Sequence, residues 1–319
     1  MIAKRMVSIT ILSCLLVAFS FFAYSCYNMS TGNYMGGKDR IALLRIEGII
    51  TSGQGGMGMF GGISGAYSDT VVANLRKVVE DSTIKGLVIR VNSPGGSAAA
   101  SEEIFNAITE VKAAGKPVVV SMADTAASGG YFVSAPADVI YADATTLTGS
   151  IGVIFQAVSL EGLFDKIGVD MRTLKAGELK DIGSPYRPMT EKERQILQGM
   201  LDETHEVFIE YVAKGRKMDV EAVRKLADGQ VWTGRQAKEL GMIDELGGLR
   251  DAILKAGQLA NIPGEPVIDE LGKKNLLDQF LGVETSSQDL LSADKLQLIA
   301  QFLYLQPMLL DRQVTQLYR

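Results

Sequence analysis

Two apolar, β-branched runs dominate what this chain can fold into: IKGLVIRV at residues 84–91 and PVVVSM at residues 117–122. Runs of that length, rich in Val and Ile, read as strands covered on both faces. Helix-patterned segments surround them. Residues 68–81 carry apolar side chains at Val71, Val72, Leu75 and Val79, and residues 98–114 read as a second helix. RIALLRIEGII, at 40–50, forms a strand ahead of them. Residues 135–141 lead into another strand, and IGVIFQ at 151–156 is a short strand candidate. Strands joined by helices of this length demand right-handed βαβ crossovers, so the expected class is α/β with a largely parallel sheet. From residue 190 to about 259 helices dominate, one of them spanning 191–217.

In open α/β sheets ligands bind at the carboxyl ends of the strands. Two glycine-bearing turns fall there: Asn92-Ser93-Pro94-Gly95-Gly96-Ser97, and Ala127-Ser128-Gly129-Gly130. Both precede helix starts, where backbone N–H groups lack intrahelical partners. Facing one another, such groups hold developing negative charge on an oxygen. Glycine there lets a substrate approach the backbone with no Cβ in the way. The first turn is not a Walker A loop, since no Gly-Lys-Ser/Thr follows. A formal G-x-G-x-x-G runs from Gly53 to Gly58, but more Gly and Met follow it instead of a helix. It reads as a flexible rim or surface loop, not a dinucleotide turn.

Ser128 is either a helix-starting polar residue or a nucleophile, and a nucleophile needs a base. The single histidine, His205, lies inside the long helix at 191–217 and reads as an ordinary packing or surface residue. With the usual base missing, a lysine or a carboxylate remains. A lysine works only when neutral, and bringing its pKa from ~10.4 towards neutrality costs roughly 4 kcal/mol that the fold must supply. The residues alone do not choose among the lysines. Lys180, in KAGELKDIGSPYRPMT, is the most suggestive by context, because Gly and Pro punctuate an irregular loop there.

Composition removes other classes. A formal net charge of −5 leaves no basic excess for nucleic acid. One histidine, and cysteines only at Cys14 and Cys26 in the N-terminal apolar segment, leave zinc no ligand set and the rest of the chain no cysteine nucleophile. No cofactor is expected. Lys4 and Arg5 precede an uncharged stretch, residues 6–29, long enough to cross a bilayer. That order puts the N-terminus in the cytoplasm and the bulk of the chain outside it. Three readings compete for the stretch: an uncleaved anchor, a cleaved signal peptide, and a lipoprotein modified at Cys26. Ser25 suits the last of these and Tyr24 does not. The expected organisation is an anchor or signal segment at 1–29, a linker at 30–39, a main domain at 40–262 and an amphipathic helical tail at 263–319.

Five stretches, taken in order, carry a resemblance: RVNSPGGSAAASEEI (90–104), ADTAASGGYFVSAPAD (123–138), TLTGSIGVI (146–154), KAGELKDIGSPYRPMT (175–190) and DGQVWTGRQAKELGMIDELGG (228–248). The chain resembles the short bacterial form of the signal peptide peptidase A family, serine proteases of family S49 in the ClpP/crotonase superfamily. The similarity covers about residues 40–259. It implies a ClpP/crotonase-like ββα-repeat fold and a Ser-Lys dyad. The family's nucleophile falls on Ser128, its lysine base on Lys180, and the serine that hydrogen-bonds that lysine on Ser150. Its oxyanion-hole amides fall on Gly129 and on the Gly95/Gly96 turn. The implied substrates are cleaved signal peptides left in the membrane and other hydrophobic peptides. The implied assembly is a ring in which the serine and lysine of one site come from adjacent copies. The alternatives are a related protease paired with stomatin-like proteins, a crotonase-type acyl-CoA enzyme, and a non-catalytic scaffold of the same fold.

Overall fold

The computed structural model describes residues 39–54 and 65–272. The stretch at 6–29, most of the glycine-rich segment and the leucine-rich tail lie outside the described residues. Among the described residues no helix is long and apolar enough to cross a membrane.

The chain enters the sheet at β1 (Arg40–Glu47), whose side chains divide between two cores with the period of a strand. Ala42, Leu44 and Ile46 join the larger core, and Ile41 and Leu43 join the smaller one on the opposite face. The expected strand over 40–50 is broken at Gly48, which takes φ 76 and turns the chain out into the short β2 (Ile49–Thr51). β2 pairs in parallel with β3 (Gly65–Tyr67). Helix α1 (Ser68–Glu80) then leads to β4 (Ile84–Ser93), and helix α2 (Ala98–Ala113) to β5 (Val118–Ala127). Both strands obey the same division. Leu87, Ile89 and Val91 of β4, and Val118, Val120 and Met122 of β5, face the larger core, while Val88 and Val119 face the smaller. Full burial of each such side chain contributes about 1.5–3 kcal/mol, so these central strands anchor the fold.

After β5 come helix α3 (Gly129–Ser134), β6 (Val139–Ala142) and β7 (Leu147–Gly149). A long excursion over residues 152–190, with the short helix α4 (Glu161–Ile167), precedes helix α5 (Glu191–Arg216). The remaining elements are α6 (Val220–Leu226), β8 (Val231–Thr233), α7 (Gly234–Glu239), β9 (Glu245–Leu246), α8 (Leu249–Leu259) and β10 (Val267–Glu270). The main sheet has the order β10-β1-β4-β5-β6-β9. β5 pairs with β6 through its first half and with β7 through its last three residues. All these pairings are parallel; only β7 with β8 is antiparallel. The expected mixed α/β class with a largely parallel sheet is what the chain adopts. Helices α1, α2, α3 and α5 contribute buried side chains to the larger core, and Ala252 and Ala256 of α8 pack in the smaller one.

Two differences from the sequence reading have physical causes. Residues 151–156 are not a strand: Ile151 is buried, but Ile154 is 81% exposed and Phe155 half-exposed, and among the described residues no strand pairs with them. An apolar run without a partner leaves its backbone groups unsatisfied as a strand. The compact unit also runs to Gly272, because β10, beyond the boundary expected at 262, adds to the sheet beside β1.

Candidate active site

The two central strands end side by side. Ser93 closes β4 and Ala127 closes β5, with a register shift between Val91 and Ser93 on the β4–β5 pair. The Asn92 side-chain oxygen fills the gap by accepting from the Thr125 amide at 3.2 Å. The Ser93 hydroxyl accepts from the Gly95 amide at 3.1 Å, and the Ser97 hydroxyl caps α2 by accepting from Ala100. This turn packs against its neighbour so closely that only glycine fits. A Cβ on Gly95, at φ 106, would stand 2.7 Å from the Gly129 nitrogen and 2.8 Å from the Ser128 Cβ. A Cβ on Gly129 would stand 2.6 Å from the Ser101 hydroxyl and 3.2 Å from the Gly96 nitrogen. The Gly96 and Gly129 N–H groups have no acceptor among the described residues.

Ser128 occupies the joint between β5 and α3 with φ 52 and ψ −120. A non-glycine residue at positive φ is uncommon, and this conformation costs of order 1–3 kcal/mol unless the surroundings hold it. They do. The Ser128 amide donates to the Gly149 carbonyl at 2.8 Å, its carbonyl accepts from Phe132 at 2.9 Å, and α3 is anchored by the Tyr131 hydroxyl donating to the Met242 carbonyl at 2.9 Å. Burial pushes the Tyr131 phenol well above its usual range, so it stays a neutral donor. Ser128 occupies the N-cap position of α3 but makes no side-chain cap hydrogen bond there.

Ser150 lies one residue past Gly149, which pairs with Ala127 on β5. The register therefore sets Ser128 and Ser150 at the ends of neighbouring strands. Ser150 also takes φ 52, and its amide donates to the Gln230 carbonyl at 2.7 Å. A cleft of about 570 Å³ opens beside Ser128, Gly129 and Gly96, with Phe132, Phe208 and Val153 among its apolar lining. Glu102 and Glu203 also line it, Glu102 accepting from the Tyr211 hydroxyl at 2.7 Å. His205 is not among the lining residues, although Thr204 and Glu203 beside it are.

Lys180 stands elsewhere. It is exposed on the excursion and does not line the cleft of its own chain. Its neighbours are tied down: Lys175 and Arg187 both bond Asp181, and Lys192 pairs with Glu178, whereas Lys180 has no such partner among the described residues. Arg187 also grips Glu193, whose carboxylate completes the capping box at the start of α5 with Thr190. Hydrogen bonds from Arg187, then from Thr190, hold the Glu193 carboxyl down at about 2, and Arg187 and Lys175 hold Asp181 well below the usual range. The excursion is thereby stapled to α5 on the residue next to Lys180. Its apolar side chains are left in the open: Leu174 is 99% exposed, Val158 66% and Ile167 59%.

The sequence reading named the serines, the glycines and the lysine but not the Arg187 staple or the aromatic wall of the cleft. The staple had a local signal, Thr190 followed three residues later by Glu193. Phe132 and Phe208 come from distant helices and had none.

A largely parallel sheet with glycine turns at its carboxyl edge makes this a mixed α/β protein whose fold is consistent with that of Clp proteases, and the Clp protease family model matches residues 54–147. The Peptidase family S49 model matches residues 110–263. A Synechocystis sp. protein carrying a provisional protease name is 36% identical over 230 residues, 72% of this chain and 78% of that protein. A provisionally named protease of Methanocaldococcus jannaschii is 43% identical over 190 residues, 60% of this chain and 61% of that protein. Serine protease SPPA, chloroplastic, of Arabidopsis thaliana is 36% identical over 270 residues, 84% of this chain and 38% of that protein. The chain belongs to peptidase family S49. It spans less than two thirds of the length of the Methanocaldococcus and Arabidopsis relatives.

Proposed function

We propose that the chain is a membrane-associated serine endopeptidase that degrades cleaved signal peptides and other hydrophobic peptides. Ser128 is the nucleophile, Lys180 the general base and Ser150 the residue that holds the lysine. The observation that carries the reading is the conformation of Ser128, held at φ 52 on a strand-to-helix joint, with no side-chain cap bond and, among the described residues, no acceptor for the Gly96 and Gly129 amides beside it. Such strain clusters at functional sites, and a sharp strand-to-helix turn is a recurrent way to present a nucleophilic serine.

In this mechanism neutral Lys180 takes the Ser128 proton as the oxygen attacks a peptide carbonyl. The amides of Gly129 and Gly96, which have no acceptor among the described residues, receive the oxyanion, while the Gly95 amide stays bonded to the Ser93 hydroxyl and shapes the turn. Lys180 then gives its proton to the leaving amine, and water hydrolyses the acyl-enzyme. In this reading the lysine is supplied by an adjacent copy in a ring-shaped homo-oligomer, which is supported by Lys180 not lining the cleft of its own chain. The exposed apolar side chains of the excursion suit an interface of that kind. The apolar cleft wall suits a hydrophobic substrate, and the stretch at 6–29 would hold the enzyme where such peptides accumulate.

The test is cleavage of a fluorogenic peptide with apolar residues before the scissile bond, by the full chain in detergent. Ser128→Ala and Lys180→Ala are each expected to abolish turnover with circular dichroism and sizing unchanged. Full activity in Lys180→Ala would remove the base assignment. An inert, properly assembled wild type would favour a scaffold of this fold over a peptidase.

A further inference from the structure

One side chain beside the two strained serines takes no part in the reaction described above. Trp232, the only tryptophan in the chain, sits on β8 opposite Thr148 of β7. Its indole rests on Gly149: a Cβ built there would stand 2.6 Å from Cδ1 and 3.3 Å from Nε1. Gly149 takes φ 80, so both the backbone and the indole require glycine. The Gly149 carbonyl receives the Ser128 amide at 2.8 Å, and the next residue, Ser150, is pinned to Gln230, two residues before Trp232. The indole therefore packs on the residue that accepts the Ser128 amide and directly precedes Ser150. Its N–H is shielded from solvent and has no acceptor among the described residues. An unpaired buried donor is a cost that phenylalanine would avoid, so packing alone does not account for tryptophan here.

We infer that Trp232 is a positioning residue, holding the Gly149–Ser150 corner so that Ser128 and Ser150 keep the places the reaction needs. The inference rests on the serine peptidase reading. It requires that loosening the corner slow the chemical step while leaving substrate binding nearly intact, because the indole does not line the cleft. It also requires that the base titrate differently once Ser150 is free to move. As the sole tryptophan, Trp232 reports its own surroundings through fluorescence.

The experiment uses the full chain in detergent. In Trp232→Phe, kcat is expected to fall at least ~10-fold with KM within about twofold, and the pH profile of kcat/KM to be displaced. Sizing is expected to match wild type. In the wild type, reaction with a serine-directed fluorophosphonate is expected to shift the tryptophan emission, and Ser128→Ala to show no shift; this readout stands even if Trp232→Phe folds poorly. Wild-type kcat and pH profile in Trp232→Phe, or unchanged emission on stoichiometric labelling, would overturn the positioning role while Ser128→Ala remained dead and the peptidase reading stood. Equal inertness of wild type and Ser128→Ala would instead bring down the peptidase reading, and this inference with it.

Discussion

At the scale of single residues, the site is a problem of space before it is one of chemistry. Gly95 and Gly129 touch across the gap between two turns, and a single methyl group on Gly95 would strike the Gly129 nitrogen. Gly95→Ala is therefore expected to displace the amides beside Ser128 and lower kcat by about 10²–10³-fold, the loss typical of removing one oxyanion donor. Steady-state kinetics with a melting curve would check it; wild-type turnover would mean the turn has no part in catalysis. Both glycine turns were legible in the sequence, because a strand, a turn and a helix start are local patterns. The strand-to-helix joint at Ser128 was legible for the same reason, while the role proposed for Ser128 came from the resemblance and not from the local pattern. The strain at Ser128 and Ser150 was not legible, since φ depends on what the neighbouring strands impose. Trp232 was equally hidden, its contact being made across the β7–β8 pair with Gly149.

At the scale of the element, the excursion over residues 152–190 is positioned by charge rather than by a core. Arg187 clamps Asp181 and Glu193 together, and Asp181 is the neighbour of Lys180. Arg187→Met is expected to lower kcat while leaving the melting temperature, which reports the sheet, nearly unchanged; kinetics and calorimetry on the same preparation would check both. Acid should act in the same place. Both carboxylates are held below their ordinary pKa values, so the pairing is fully present above the unfolded value. It is lost as pH falls through the folded one, for Glu193 between roughly pH 4.5 and pH 2. Hydrogen exchange is expected to rise in the excursion across that window before it rises in β4 and β5. Simultaneous loss of protection would contradict the staple. The misread strand at 151–156 belongs to this element. Its residues are apolar enough for a strand, but a lone sequence does not show whether an apolar run is buried within its own fold or left for another chain.

At the scale of the whole molecule, the parallel sheet followed from the alternation of apolar runs and helix-patterned segments, and the β-branched centre of the chain made that alternation plain. The last strand did not follow: β10 is short, lies past the final helix, and adds to the sheet beside β1. Whether the site is complete in one chain is also a question at this scale, and it has a direct test. Inactive Ser128→Ala chains mixed with inactive Lys180→Ala chains, dissociated and reassembled together, are expected to recover about one quarter of wild-type activity, the share of junctions that pair an intact serine with an intact lysine. No recovery after verified co-assembly would place serine and lysine in the same chain. Substitution of the exposed Leu174 by Asp is expected to weaken assembly and turnover together, measured by sedimentation and kinetics on one sample.

A cleft that lacks its own lysine has a consequence in genetics as well as in chemistry. Under the shared-site reading each chain serves two junctions, giving its serine to one neighbour and its lysine to the other. An allele that lacks only the serine or only the lysine then leaves a cell that also carries the healthy one with about half of its junctions intact, and an allele that lacks both leaves about one quarter. Two different defective alleles, one in each half of the junction, partly cover for each other.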